Sequence, residues 1–526
     1  MPDNRARLGR RQFVTGAAAV GAAGCLGAAA GLAACGSTPT PKKLAAPKRY
    51  GGNLMVGLTG GSSSDTLDPH QGLSNLDTAR AQALYEPLVA LGANAGIEYI
   101  LAAEMTPDAT ATQWVIRLRP GVVFHDGRPL TANDVIYTFQ RIIKNGYSAV
   151  NVLRPVDLAG IRALDTLTVV VPMTRPYATF PGQLAGILTA QIVPSGFTAT
   201  SPPNGTGPFK YKSFAAGQRS VFGRNPHYWR HGLPYIDTLS IIDFPDTVSL
   251  QDALITGQIQ AAGTLDPAQM PTLSTHSGID AIASPAGTIV PFTMRVDQPP
   301  FNDVNVRQAM RLAVDRPQFI ASALDGSGSL ASDVFSPYDP DFDHALRREQ
   351  DLPQARYLLR KAGLEDLTVT LVTSPITSAA VPMATVLAEQ AKAAGVTINL
   401  QQVPSGTFFG PNYLSWGFSQ DYYYYASYLA QVTLSMLPTS PWTETHFDDP
   451  GYNKLYAQAN ATLDGSLRRE ICYKMQATDF TQGGYIIPAF VDTLDAYSTG
   501  ITGYASSKLG QPLDGYNFAH FAFTLS

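Results

Sequence analysis

The residues best suited to hold a solute form one run of four tyrosines, Tyr422, Tyr423, Tyr424 and Tyr425, flanked by Phe418, Asp421 and Tyr428. Tyrosine offers an apolar ring and a polar tip, which suits the wall of a roomy binding pocket. In an extended strand successive side chains alternate, so one pair (Tyr422 with Tyr424, or Tyr423 with Tyr425) can face a cleft while the other packs inside. The same run also reads as a plain structural strand with tyrosine on both faces. Asp421 could pair with a solute amine or simply begin that strand at the surface. Arg295 could grip a carboxylate through two parallel hydrogen bonds or remain a solvated surface residue. Trp416, just ahead of the run, is a further aromatic candidate.

Catalytic signatures are missing where they would be expected. There is no G-x-S-x-G elbow, which removes the commonest α/β-hydrolase pattern. A carboxylate pair of the glycosidase type stays open, because aspartates and glutamates are many. His227 and His231 are four apart, yet Pro226 precedes them and no H-E-x-x-H pattern follows, so they read as a surface turn and not a metal site. Gly205-Thr206-Gly207 is followed by Pro208, which lacks an N–H, and no G-K-[ST] follows, so it reads as a turn and not a phosphate loop. No metal and no cofactor are expected. At 45% hydrophobic and 15% charged residues the chain is globular in composition, with no basic tract to suggest a nucleic-acid partner.

The elements that must position these residues alternate between strand and helix, giving an α/β fold class. Trp114, Ile116 and Leu118 alternate with polar residues in a half-buried strand that ends at Pro120-Gly121. Thr131 and Asp134 have capping-box spacing ahead of Val135, Phe139, Ile142 and Ile143, which share a helical face. Asp303 can cap a helix whose apolar face is Val306, Ala309, Met310, Ala313 and Val314, ending before Pro317. A strand over residues 367–372, a helix over 382–394 stopped by Gly395, and a strand carrying Val396, Ile398 and Leu400 on one face predict a parallel pair with a right-handed crossover.

The N-terminus reads as a targeting segment. Arg5, Arg7, Arg10 and Arg11 precede an uncharged apolar run over residues 14–34. Arg10-Arg11-Gln12-Phe13-Val14 resembles a twin-arginine export signal, although a general secretory leader can also hold paired arginines. Leu32-Ala33-Ala34-Cys35-Gly36 resembles a lipobox, which implies a lipid on Cys35. An uncleaved membrane-spanning anchor is the alternative for a run of that length. Cleavage before Cys35 removes four basic residues and one acidic residue, moving the formal charge from −4 to −7. Cys472 is then the one thiol of the folded body, so no internal disulfide is expected. The Pro- and Lys-containing stretch to residue 48 reads as a flexible tether, with folding beginning near Tyr50.

Several segments taken together resemble solute-binding protein family 5, the extracytoplasmic peptide-, dipeptide- and nickel-binding proteins of ABC importers. Gly51-Gly52-Asn53-Leu54-Met55-Val56-Gly57, Thr66-Leu67-Asp68-Pro69 and Tyr85-Glu86-Pro87-Leu88 look like that family's opening. The strongest block runs from Leu118-Arg119-Pro120-Gly121 through His125-Asp126-Gly127 to Thr131-Ala132-Asn133-Asp134-Val135. Gly205-Thr206-Gly207-Pro208-Phe209, Asn225-Pro226-His227-Tyr228-Trp229 and Pro300-Phe301-Asn302-Asp303 are similar to later landmarks, and Ile487-Pro488 also fits.

The resemblance implies a two-lobed fold of the periplasmic-binding-protein type II kind, with discontinuous lobes, a hinge, and an extra subdomain on the first lobe. It implies residues 1–34 as export signal, 35–49 as tether, and lobe 1 built from 50–80, 204–297 and 485–526. The extra subdomain would be 81–203, and lobe 2 would be 298–484. The implied activity is capture, not catalysis: a small solute, a peptide or peptide-like one, is held between lobes and passed to membrane permease subunits by a monomer anchored outside the cell membrane through Cys35. Sugar, opine or chelated metal remain as alternative solutes, and a secreted hydrolase as an alternative activity. The chain departs from the family at His227, at Gln258 and Gln260, at Arg295 where asparagine is usual, and after Trp416, where the Asp-Pro of peptide binders is missing. Those departures bear on the solute more than on the fold.

Overall fold

The computed structural model describes residues 47–72 and 74–525. The export signal, the lipobox with Cys35 and most of the tether lie outside the described residues. Folded chain begins slightly earlier than Tyr50, because Lys48–Arg49 pairs antiparallel with the C-terminal strand Ala522–Thr524. Lys48 and Arg49, expected in the tether, are therefore part of the folded body.

Leu54, Val56 and Leu58 alternate along the strand Asn53–Thr59 and are fully buried, which sets this strand inside an eight-stranded sheet. It runs parallel to Thr238–Phe244, with Leu54 opposite Leu239 and Val56 opposite Ile241, and also parallel to the short strand Ala261–Ala262. The long strands Ile279–Ile289 and Ala489–Ser498 pair antiparallel at one side of the same sheet. Gly57 is required by packing, since a Cβ there would come 2.5 Å from Leu250 Cδ1 on the covering helix Thr247–Ile255. A second helix, Asn75–Leu84, is fixed to this sheet by Arg80, which is fully buried and pairs with Asp65 at 2.9 Å, Asp77 at 3.2 Å and Asp243 at 2.6 Å.

Residues 102–172 form a four-stranded antiparallel sheet covered by the helix Ala132–Asn145. Trp114, Ile116 and Leu118 point into its core as their alternation predicts. The capping box is present, with Asp134 accepting the Thr131 backbone N–H at 2.9 Å, and Gly146 closes the helix in the left-handed region.

The expected strand–helix–strand unit is Thr368–Thr373, Ala380–Lys392 and Thr397–Gln402, with the strands parallel. Leu400 shares a face with Ile398 but is 40% exposed, so only the first part of that face is buried. Asp303 caps Val304–Leu312, which ends two residues before the last apolar position of its predicted face; Ala313 and Val314 are buried all the same, and a second helix, Arg316–Ala323, carries Pro317 in its first turn. A three-stranded sheet of Phe418–Gln420, Phe292–Met294 and Tyr485–Ile486 completes this part.

The chain crosses between the large sheet and the three-stranded one twice, between Ile289 and Phe292 and again between Ile486 and Ala489. Between these crossings the helix Tyr428–Ser435 reaches back to residues 102–192. Leu434 enters their apolar core, Gln183 donates to the Leu429 carbonyl at 3.1 Å, and Thr433 donates to Gln183 Oε1 at 2.9 Å. Cys472 is buried and free.

Candidate functional site

Two adjoining cavities open among these parts. The larger, of about 580 Å³, is lined by the four-tyrosine run, Phe409, Tyr413 and Trp442, and also by Gly72, Ser74 and Thr78 near the start of helix Asn75–Leu84. The smaller, of about 380 Å³, is more polar and includes Arg230, Gln191, Asn517 and His520. The two share residues 186–188, Tyr425 and Gln511. Both volumes are in the usual size range for small-solute sites, about 300–1,000 Å³.

The tyrosine run sits where it does because strand Phe418–Gln420 continues in extended form along the crossing chain. Asp421 N–H donates to the Pro291 carbonyl at 3.2 Å, Tyr423 and Ile289 exchange two backbone hydrogen bonds at 3.0 Å, and Tyr425 N–H donates to Leu509 at 2.9 Å. The period of two then sorts the rings. Tyr423 and Tyr425 are buried at 6% and 4% exposure, whereas Tyr422 and Tyr424 are half-buried and meet edge to face at 6.0 Å. Gly287 lies against Tyr425, where a Cβ would come 2.5 Å from the ring.

Hydroxyls at the ring tips define two polar groups. Tyr424 donates to Asn75 Oδ1, which Tyr516 also reaches at 3.2 Å. Tyr423 donates to Glu444 Oε1, and Tyr485 donates to Glu444 Oε2 at 2.9 Å. Asp421 lies beside Glu444, accepting from Tyr413 Oη at 2.5 Å and from the Tyr422 N–H at 2.7 Å. Both carboxyls are 3% exposed. Burial raises the pKa of each, and for Glu444 the Asp421 charge raises it further. Two like groups this close in a dry setting favour holding a proton between them. Asp421 is thus buried and not the exposed strand start that its sequence context also allowed.

Two candidates lie away from the cavities. The Arg295 guanidinium is taken up by Asp297 at 2.7 and 2.6 Å and by the Leu414 carbonyl at 3.2 Å, and it lines neither cavity. Trp416 stacks on Phe408 at 6.2 Å and donates to its carbonyl at 3.2 Å, one layer behind Phe409 and Tyr413. Residues that sequence reasoning missed are Asn75, Phe409, Tyr413, Trp442 and Glu444. None lies in a recognisable spacing, and Glu444 meets Asp421 only through the tertiary fold.

His227 and His231 are exposed. Gly205 and Gly207 are a packed turn, since a Cβ at Gly205 would come 2.0 Å from the Leu84 carbonyl oxygen. Thr206 between them donates to the buried Glu86 at 2.9 Å.

The family model described as bacterial extracellular solute-binding proteins, family 5 middle, matches residues 96–461. The glutathione-binding protein GsiB of Escherichia coli K12 is 25% identical over 465 residues, covering 84% of this chain and 90% of GsiB. Among solved structures, DppA of Helicobacter pylori in complex with the peptide STSA is similar at a TM-score of 0.79 and 18% identity, covering 91% of this chain and 99% of DppA. AgaA of A. tumefacien R10 in complex with agropinic acid is similar at 0.77 and 21% identity, covering 90% of this chain and 99% of AgaA. These likenesses show the fold to be the two-lobed type II periplasmic-binding arrangement, with discontinuous lobes joined at a hinge.

Proposed function

Since this chain belongs to family 5 of the bacterial extracellular solute-binding proteins, we propose that it is the lipid-anchored capture subunit of an ABC importer. It takes a peptide or peptide-like solute between its lobes and delivers it to membrane permease subunits. The lipid is on Cys35, and the protein works as a monomer on the outer face of the cell membrane. Among the described residues no helix is long and apolar enough to cross a membrane. Its action is binding and release, without chemistry on the solute.

In this reading lobe 1 comprises residues 50–80, 204–297 and 485–526 with the subdomain 81–203 upon it, and lobe 2 comprises 298–484. The sheet-to-sheet crossings near residues 290–291 and 487–488 support a hinge a few residues from those boundaries. The observation that carries the proposal is the larger cavity, where the tyrosine run from the lobe 2 side shares the lining with Ser74 and Thr78 from the lobe 1 side. A solute touching both walls stabilises the closed form, whereas one touching a single wall does not. Tyr422, Tyr424 and Asp421 are the proposed contact residues, with Tyr423 and Tyr425 forming the wall behind them. Arg295 and Trp416 serve as supports of that wall.

The test is native mass spectrometry of the full chain purified from its own host, followed by identification of the released solute. A peptide-like molecule that leaves chemically unchanged, and whose occupancy falls on Tyr422→Ala with Tyr424→Ala, fits the proposal. A product distinct from the added solute would make the protein an enzyme, and undiminished occupancy in the double variant would move the site elsewhere.

A further inference from the structure

The smaller cavity holds a cation without a partner. Arg230 is the sole Lys or Arg in its lining among the described residues. The side chain is half-buried over the Trp229 ring at 4.8 Å, and its guanidinium makes no hydrogen bond and no ion pair among the described residues. His520 lines the same cavity. Burial, with the Lys48 and Arg230 charges, holds its pKa below the usual imidazole range, so the ring stays neutral beside Arg230. Of the three carboxyls in the lining, Glu86 is engaged by Thr206 at 2.9 Å, Tyr228 at 2.8 Å and Trp229 at 2.8 Å, and Glu98 is exposed. Asp514 is the third. It is buried, and burial pushes its pKa up to about 7, offset in part by hydrogen bonds from the Ala505 N–H and the Asn517 side chain.

Two further observations mark this place as built. Gln191, 1% exposed, donates Nε2 to the Leu188 carbonyl at 3.3 Å, which fixes its amide orientation and leaves Oε1 buried without a partner among the described residues. A buried acceptor left over is uncommon in a purely structural interior. Leu513, Asp514, Gly515 and Tyr516 run consecutively through the left-handed region, at φ of 54, 57, 66 and 62°. Residues with a Cβ adopt that backbone only at a conformational cost, and the turn is what brings Asp514 into the lining.

We infer that the smaller cavity is a second binding site, for a small α-amino acid whose carboxylate pairs with Arg230 and whose ammonium group is taken by Asp514 and Gln191 Oε1. An amino acid brings one charge of each sign, matching one free guanidinium and one titratable carboxyl. A simple anion would meet Asp514 as a like charge, and a simple cation would meet Arg230. Ile187, Leu188 and Leu509 leave apolar surface for a side chain, and about 380 Å³ restricts the ligand to a small one. In the proposed division of lobes the lining comes from lobe 1 and its subdomain apart from Tyr425. The amino acid therefore binds without requiring the lobes to close.

The experiment is calorimetric titration of the full chain, purified in detergent, with three matched probes: L-leucine, L-leucinamide, which lacks the carboxylate, and L-2-hydroxyisocaproate, which lacks the ammonium group. Leucine should bind about tenfold or more tighter than either of the others. Arg230→Gln should bring leucine down to the affinity of leucinamide, and Arg230→Lys should retain part of the difference. Asp514→Asn, a change suited to left-handed backbone, should bring leucine down to the affinity of the hydroxy acid. Arg230→Gln should also leave occupancy by the co-purified solute unchanged. Leucinamide or the hydroxy acid binding as tightly as leucine overturns the inference, and so does a lack of leucine binding. A fall in solute occupancy in Arg230→Gln would make the two cavities one site and overturn it as well. The reading of the larger cavity stands or falls separately, on the Tyr422→Ala with Tyr424→Ala variant.

Discussion

Tyr424 donates its hydroxyl to Asn75 Oδ1 across 349 residues of sequence. The acceptor stands at the start of a helix that Arg80 pins to the large sheet through Asp243 at 2.6 Å. The donor stands on a segment hydrogen-bonded to the crossing chain. This one bond therefore ties the aromatic wall to that helix.

Removing it should loosen closure without unfolding the protein. A neutral hydrogen bond contributes about 0.5–1.5 kcal/mol net, so Tyr424→Phe should weaken solute binding by a factor of about 2–12. Asn75→Ala should do the same, and the double variant should be no worse than either single one. Calorimetric titration checks the affinities, and small-angle scattering of the solute-free protein should show a larger radius of gyration.

The alternating tyrosines should separate in stability. Truncating a buried aromatic costs about 3–5 kcal/mol, and truncating a half-buried one costs less. Tyr423→Ala with Tyr425→Ala should therefore lower the melting temperature far more than Tyr422→Ala with Tyr424→Ala. The second pair should lower affinity for the co-purified solute more. Differential scanning calorimetry beside titration on the same two double variants reads both.

The pH dependence has a definite sign. Burial pushes Asp479 up to about 7, partly offset by hydrogen bonds from Tyr428 and Tyr452, and burial likewise pushes Asp495 up to about 7. Both groups hold protons in the folded state that the unfolded chain gives up above its carboxylate range. The stability these two groups contribute therefore falls as pH rises from about 4 to 7 and levels off beyond. Asp479→Asn, compared with the parent by melting temperature at pH 5 and pH 7.5, should lose relatively more stability at pH 5.

Cys35→Ala should shift the protein from the membrane fraction to a soluble or unprocessed form. Fractionation of cells followed by salt washing and immunoblotting reads the outcome. Retention of the variant on the membrane, equal to the parent, would remove the lipid from the account.

Local rules made much of this fold legible before any coordinates. The alternation at Trp114, Ile116 and Leu118, the Thr131–Asp134 cap and the parallel strand pair around residues 368–402 are written within a few residues each. The two-way sorting of the tyrosine run is also local, because it follows from the period of a strand. What stayed hidden depends on distance in sequence. Nothing near Asp421 says that Glu444 will be brought beside it, or that strand Phe418–Gln420 will carry it into the interior. Arg295 failed as a cavity residue for the opposite reason: Asp297, two positions on, satisfies it first. Leu400 shows the limit of a periodic pattern, which assigns a face but not how far along that face is buried.

The crossing of the chain between its two sheets has a mechanical consequence. Ile289 and Pro291, on one crossing, hold Tyr423 and Asp421 by backbone hydrogen bonds alone. Backbone bonds have none of the rotational slack of long side chains. In the proposed reading, a bend at that joint is geared directly to the tilt of the tyrosine rings and the aim of the Asp421 carboxyl, so the joint would convert the shape of a captured solute into an angle between the lobes.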